Sequence, residues 1–227
     1  MTSWTELPRA TFDLETTGVD PRTARIVTAS LVLVAPDGTV LNSGEWLANP
    51  GIEIPEQAAA VHGISTEYAQ EHGQDAAQVV YEVAMALGGL FHDGVPVIAF
   101  NAAYDFSVIH YELQRYGYPT LNCYPVLDPY VMNKQVHKFK KGKRTLEVLS
   151  ADYGVELVEA HTSKADAMAA ERLLTAMAEK YPELVDDAAS LHEAQREWAR
   201  VQASEFQEYL RRQGKDDVID GNWPIRH

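Results

Sequence analysis

Three short segments of this 227-residue chain concentrate side chains able to do acid–base or metal chemistry. The first is Asp13-Leu14-Glu15. Strand side chains alternate, so Asp13 and Glu15 share one face while Phe12 and Leu14 enter the opposite layer. Two crowded carboxylates repel each other and lose hydration on burial, and a cation relieves both costs. All-oxygen ligation selects Mg2+, Mn2+ or Ca2+ over softer metals. Taken alone, Asp-x-Glu suits a solvated strand edge equally. The second segment, Phe100-Asn101-Ala102-Ala103-Tyr104-Asp105, closes an apolar run and places Asp105 in the first turn of a helix. The macrodipole favours a carboxylate there in any protein. The third, His161-Thr162-Ser163-Lys164-Ala165-Asp166, opens a late helix. Asp166 is again an acid near a helix start. A free histidine titrates near pH ~6.5, and a residue of that type, here His161, can take a proton from water at neutral pH.

The elements that must position these residues follow from patterning. Ala10–Leu14, Arg25–Val34 and Thr39–Leu47 read as strands, with Pro36-Asp37-Gly38 as the turn between the last two. Ser65 caps a short helix through Gln70, and Asp75 caps a longer one through Phe91 with an i/i+3/i+4 apolar stripe. Val95–Phe100 is a fully apolar strand, followed by a helix over about Ala103–Arg115. Pro125–Leu127 is a short buried strand, and Asp128-Pro129 has the cap-then-proline order of a helix start. Helices over Thr145–Asp152 and Lys164–Lys180 follow. Strands first and strand–helix alternation afterwards predict an α/β fold, a mixed sheet flanked by helices. Asp186–Arg212 is helical without accompanying strands, which predicts a C-terminal helical appendage and a poorly patterned tail from Gly214. The expected division is 8–182 for the main domain and 183–227 for the extension.

Asp-x-Glu on a first strand, Asn-x-x-Tyr-Asp after a buried strand, and His-x4-Asp opening a late helix together resemble the DEDDh class of DnaQ-like 3′→5′ exonucleases. That family includes the proofreading ε subunit of bacterial DNA polymerase III. Phe12-Asp13-Leu14-Glu15-Thr16-Thr17-Gly18 and Val61-His62-Gly63-Ile64 agree with it, and the likeness spans about residues 8 to 180. It implies an RNase H-like fold with a mixed five-stranded sheet. It also implies that Asp13, Glu15, Asp105 and Asp166 hold two divalent cations, Mg2+ or Mn2+, with His161 as general base. Such a clamp serves an in-line displacement at phosphorus. Nucleoside 5′-monophosphates released from a 3′ end are the expected products.

The same resemblance makes Thr16, His62, Asn101 and Tyr104 candidates for gripping the terminal nucleotides, although His62-Gly63 also suits a turn with an exposed histidine. Phe100, Tyr104, Ser163 and Lys164 depart from the family's usual residues. Asp128 reads as a structural helix cap rather than a fifth catalytic acid. Lys134 to Arg144 holds six basic residues and no acid. Within it Lys138, Lys140, Lys141 and Lys143 are expected to contact a nucleic-acid backbone.

The chain carries 33 acidic and 19 basic residues, net −14, an unusual balance for a nucleic-acid partner. Its segments differ: Glu179–Asp220 holds eleven acids and six bases, opposite in sign to the basic run. Single-stranded 3′ ends are the expected partner, DNA ahead of RNA, with RNA or short oligonucleotides as the alternative substrate. A non-catalytic nucleic-acid-binding scaffold is a further alternative. The single Cys123 excludes an internal disulfide framework and suits a reducing compartment. No apolar run approaches the ~20 residues of a membrane span, and the N-terminal residues lack a secretory pattern. The expected location is cytoplasmic.

Overall fold

The computed structural model describes residues 2–157 and 162–227. Apolar and β-branched residues build β1 (Arg9–Thr16) and β2 (Ile26–Val34), which pair antiparallel with Asp13 opposite Ser30 and Glu15 opposite Thr28. The Pro36-Asp37-Gly38 turn, with Gly38 at φ +83°, leads to β3 (Val40–Asn49). Next come α1 (Glu56–His62), α2 (Thr66–His72), β4 (Gln74–Asp75) and α3 (Ala76–His92). The apolar run at Val95–Phe100 contributes a two-residue ladder, β5 (Val97–Ile98), and leads into α4 (Ala103–Arg115). The chain continues through β6 (Val126–Leu127), α5 (Pro129–Val136), α6 (Leu146–Asp152), α7 (Ser163–Lys180) and α8 (Ala188–Arg212).

The sheet is mixed and six-stranded, in the order β4-β3-β2-β1-β5-β6. It exceeds the expected five strands by β4, whose two exposed polar residues pair with Ala48 and Asn49. On one face Phe12, Leu14, Ala29 and Leu31 pack with Val83 and Leu87 of α3 and Phe106 and Ile109 of α4. On the other, Ile98 and Leu127 pack with Met132 of α5, Leu149 of α6 and Leu173, Leu174 and Met177 of α7. The period-two alternation of β1 thus sends Asp13 and Glu15 to the side that α7 covers.

Two buried interactions seat α7 on β1. The Thr11 hydroxyl donates to the Ala167 carbonyl at 2.5 Å, and Arg9 donates to Glu171 Oε1 from Nε at 2.9 Å and Nη2 at 2.5 Å. These contacts fix the N-terminal turn of α7, and with it Asp166, over the carboxylates of β1.

The C-terminal helix closes the free edge of the sheet. An uncovered edge strand presents unpaired peptide groups to solvent. Here His192 Nδ1 accepts from the Val126 N–H at 2.9 Å, Gln195 Nε2 donates to the Val126 carbonyl at 3.0 Å, and Gln195 Oε1 accepts from the Asp128 N–H at 2.6 Å. Side chains of α8 therefore stand in for a seventh strand. The tail then returns across α4, where the Arg226 N–H donates to Ser107 Oγ at 2.8 Å and Trp223 is buried. No helix among the described residues is long and apolar enough to cross a membrane.

Candidate active site

Asp13, Glu15 and Asp166 each present a carboxylate oxygen, and these three atoms lie within 4.8 Å of one another. Two come from neighbouring turns of the β1 pleat and the third from the first turn of α7. Asp105, buried in the first turn of α4, approaches from the other layer, its Oδ1 accepting the Leu14 N–H at 3.1 Å. Burial pushes the Asp13 carboxyl well above its ordinary range, and the charges of Asp105, Glu15 and Asp166 push it further. Burial, then Asp166, raises Glu15 to about 7. Asp105 is also raised by burial, against the pull of its backbone hydrogen bonds. Asp13, Glu15 and Asp105 are thus raised by burial and by neighbouring carboxylates, with no cationic side chain offsetting them among the described residues. Such a group is stable as a set of anions only with a counter-cation, and its oxygen donors suit a hard divalent ion.

Ser30 and Thr28, the cross-strand partners of Asp13 and Glu15, hold the start of α7 in place. Ser30 Oγ lies 2.7 Å from Ser163 Oγ, and the Thr28 hydroxyl donates to the same atom at 3.2 Å. Ser163 therefore fastens α7 to β2 beside Asp166. Sequence reasoning missed Thr28 and Ser30, whose signal was two polar residues at alternate positions of an otherwise apolar strand. Lys164, the other departure in that motif, pairs with exposed Glu45 at 2.6 Å, and both border the pocket beside Glu15. His161 lies outside the described residues.

The remaining candidates line the approaches. A pocket of about 310 Å3 beside Glu15 is bordered by Ser30, His62, Tyr68 and Ser163. His62 is 9% exposed at the end of α1, where Gly63 terminates the helix at φ +76°. It is therefore not the exposed turn histidine that the sequence equally allowed. Its Nδ1 accepts from the Ile64 N–H at 3.2 Å, while the buried Nε2 has no partner within hydrogen-bond distance among the described residues, the Thr16 backbone being near enough only to favour the ring's protonation. The Tyr104 hydroxyl lies 2.5 Å from Thr16 Oγ1 and donates to the Gly18 carbonyl, which joins α4 to the end of β1. Phe100 packs edge-on against Tyr130, with ring centroids 5.8 Å apart.

Asn101 adopts φ +57°, the one non-glycine residue with positive φ among the described residues. Asp128 pins it there. Asp128 Oδ1 accepts from Asn101 N–H and Tyr130 N–H, each at 2.9 Å, and Oδ2 accepts from Ala102 N–H at 3.0 Å and Trp223 Nε1 at 3.3 Å. Asp128 is the N-cap of α5, as its Asp-Pro context predicts, and is also the anchor of the turn that launches α4.

Of the basic run, Lys138 and Lys143 border a surface trough together with α8. Lys140 instead pairs with Asp152 of α6 at 2.6 Å, its side chain only 10% exposed. The exposed Lys141 offers its carbonyl to that ammonium at 3.4 Å. Lys138 pairs with Glu205 of α8 at 2.6 Å.

Comparison with known proteins agrees with this geometry. The chain is 26% identical over 174 residues to a PolC-type DNA polymerase III of Staphylococcus haemolyticus, covering 76% of this chain and 11% of that one. It is 26% identical over 172 residues to the 3′-5′ exonuclease DinG of Bacillus subtilis, covering 76% and 18% respectively. The chain thus spans less than a fifth of the length of these relatives. In three dimensions it superposes on E. coli Exonuclease I, solved with a dA16 oligonucleotide, with a TM-score of 0.64 at 16% identity, covering 78% of this chain and 42% of that one. The fold is that of Exonuclease I. The family model RNase_T, described as Exonuclease, matches residues 11–174, and the chain belongs to that exonuclease family.

Proposed function

We propose that the protein is a metal-dependent 3′→5′ exonuclease that removes nucleoside 5′-monophosphates from single-stranded DNA. The observation that carries this reading is the convergence of Asp13, Glu15 and Asp166 within 4.8 Å, with Asp105 against Leu14. These four side chains would hold two divalent cations, Mg2+ or Mn2+. Bound there, the ions supply positive charge to a phosphodiester and favour deprotonation of an attacking water. The protein relatives named DinG and PolC-type polymerase, and the oligonucleotide in the Exonuclease I complex, support DNA as substrate.

The other residues act on the strand itself. His161, five positions before Asp166, is the base that takes the water proton. The pocket beside Glu15 receives the terminal nucleotide, and the unpartnered His62 Nε2 hydrogen-bonds to it there. Burial holds the His62 imidazole below its ordinary pKa, so it binds as the neutral ring. Asn101 and Tyr104 flank the head of α4 and, with Thr16, limit how the terminal sugar and base can sit. Lys138 and Lys143 meet the backbone farther out.

The test is digestion of end-labelled single-stranded DNA, duplex DNA and RNA with Mg2+ or Mn2+ and with chelator. Stepwise shortening of single-stranded DNA from its 3′ end, abolished by chelator and by Asp13→Ala, is the expected result. A preference for RNA would reassign the substrate. Full activity in Asp13→Ala would overturn the mechanism.

A further inference from the structure

Outside the carboxylate site, four basic side chains gather in one place. A trough of about 640 Å3 lies between α5, the loop after it and α8, and is bordered by Lys134, Lys138, Lys143 and Arg144 against a single acid, Glu205. In a chain of net −14 this is a local excess of cations. Burial, then Arg144, lowers the Lys134 ammonium, with Asp128 and Glu205 opposing and Arg226 adding to the effect. The Arg144 guanidinium is committed to the loop, donating to Asn133 Oδ1 and to the His137 carbonyl at 2.8 Å. Lys138 is likewise paired with Glu205 at 2.6 Å, which leaves Lys134 and Lys143 as the cations able to turn toward a bound anion.

The opposite wall is aromatic. Phe206 and Tyr209 of α8 stand side by side, nearly parallel at 14°, with centroids 6.2 Å apart. They are 47% and 56% exposed, so their outer faces meet solvent. Exposed flat rings facing lysines form the pairing that binds single-stranded nucleic acid, bases on the rings and phosphates on the cations. Tyr130, Lys134, Gln202 and Phe206 also border a second trough that reaches Asn101 and Ala103 at the head of α4. One surface path therefore runs from the helix that carries Asp105 out to Phe206 and Tyr209. Gln202 Nε2 donates to the Val131 carbonyl at 3.0 Å, which fixes the aromatic wall to the cationic one. Phe206 and Tyr209 lie beyond residue 174, where the match to the family model ends.

We propose that this trough is a second nucleic-acid subsite, formed by α8 together with the basic loop, which holds the single strand several nucleotides from the reacting 3′ end. The proposal rests on the exonuclease reading for its substrate but not for its test. The subsite gives the enzyme a grip on long strands that a short oligonucleotide cannot use.

The experiment compares the full-length protein with Phe206→Ala/Tyr209→Ala and with Lys134→Gln/Lys143→Gln. Fluorescein-labelled dT20 and dT3 serve in two measurements: binding by anisotropy in chelator across a salt series, and hydrolysis with Mg2+. Both double variants should weaken dT20 binding roughly tenfold or more, as expected for the loss of stacked bases or phosphate contacts. The lysine variant should also flatten the salt dependence, and dT3 hydrolysis should stay unchanged in the aromatic variant. Because Phe206, Tyr209 and Lys143 are exposed and Lys134 is only half-buried, unfolding midpoints should stay close to the wild type. Unaltered dT20 binding in both variants overturns the subsite even where hydrolysis is robust, as does an equal loss on dT3 in the aromatic variant. Wild-type protein that binds dT20 through these residues without hydrolysing it would instead defeat the exonuclease reading alone.

Discussion

Asp128 holds Asn101 in the left-handed region of backbone space through a 2.9 Å hydrogen bond from the Asn101 N–H. That conformation costs a non-glycine residue on the order of 1 kcal/mol. It persists because a buried carboxylate collects donors from two segments of chain, with Trp223 of the tail closing the set. The strained turn sits between β5 and α4, where it sets the entry angle of the helix that carries Asp105.

Removing the carboxylate should therefore cost more than a helix cap. Asp128→Ala strands the buried N–H groups of Asn101 and Ala102, and about 3 kcal/mol of stability should be lost in urea titration. Asn101→Gly relieves the backbone and should leave stability unchanged or raise it by up to about 1 kcal/mol. If the Asn101 side chain grips the terminal nucleotide, the same variant raises KM. A glycine variant with wild-type kinetics would confine Asn101 to a backbone role.

Arg9 and Glu171 form a buried ion pair between β1 and α7, with both side chains at most 3% exposed. Breaking one half of such a pair leaves an uncompensated charge in the core. Glu171→Ala should lose about 3–5 kcal/mol, and Arg9→Met/Glu171→Leu should recover much of it. The functional consequence is separable: the pair seats the helix bearing Asp166, so Glu171→Gln should lower activity at a temperature where the variant remains folded. A double variant no better than Glu171→Ala in thermal unfolding would contradict the account.

The convergent acids make stability depend on pH and on metal in a predictable direction. Asp13, Glu15 and Asp105 all have carboxyl pKa values raised in the folded chain. The folded state then binds more protons than the unfolded one, so stability falls as pH rises through the carboxylate range toward 7. In chelator the melting midpoint should drop by several degrees between pH 5.5 and 8. Mn2+ or Mg2+ should restore it at pH 8. Asp13→Asn, with one charge fewer, should exceed the metal-free wild type at pH 8 and gain less from added metal. A wild-type midpoint indifferent to both metal and chelator would argue against a cation site.

Sequence legibility followed apolar patterning. α3 and α4 bury one face that apolar spacing marks, while β1 and β2, buried on both faces, show as β-prone apolar runs between turn signals. α1 starts behind Pro55 without a side-chain cap, and most of its residues are half-buried or exposed, so no stripe marks it. β4 is two exposed polar residues held by backbone pairing with β3, which leaves no side-chain signature. Within the site, Asp13, Glu15 and Asp166 were readable because their spacing recurs in a family. The work of Asp128, Ser30 and Trp223 depends on where distant segments meet. The tail around Trp223 lacks any period, and only its packing against Asp128 and the core shows why a tryptophan stands there.

His192 provides the opposite pH signature, at the sheet edge. Its Nδ1 must be unprotonated to accept from the Val126 N–H, and burial holds the imidazole down to about 4. Glu193 favours the charged form and Arg196 opposes it, while the Tyr124 and Trp223 rings enclose the ring. An unfolded histidine titrates near ~6.5, so between that value and about 4 the unfolded chain binds the extra proton. The stability that His192 contributes is complete above ~6.5 and is lost as pH falls toward 4, on the order of 2 kcal/mol in all. Because the carboxylates drive stability the other way, the measurement is a difference. Urea unfolding of wild type and His192→Asn, which keeps an acceptor but does not titrate, should converge as pH drops from 7 to 5. The protection factor of the Val126 amide, its exchange rate relative to the intrinsic rate at each pH, should fall over the same interval in the wild type only. Parallel pH curves for the two proteins would show that α8 caps β6 without this imidazole's proton balance.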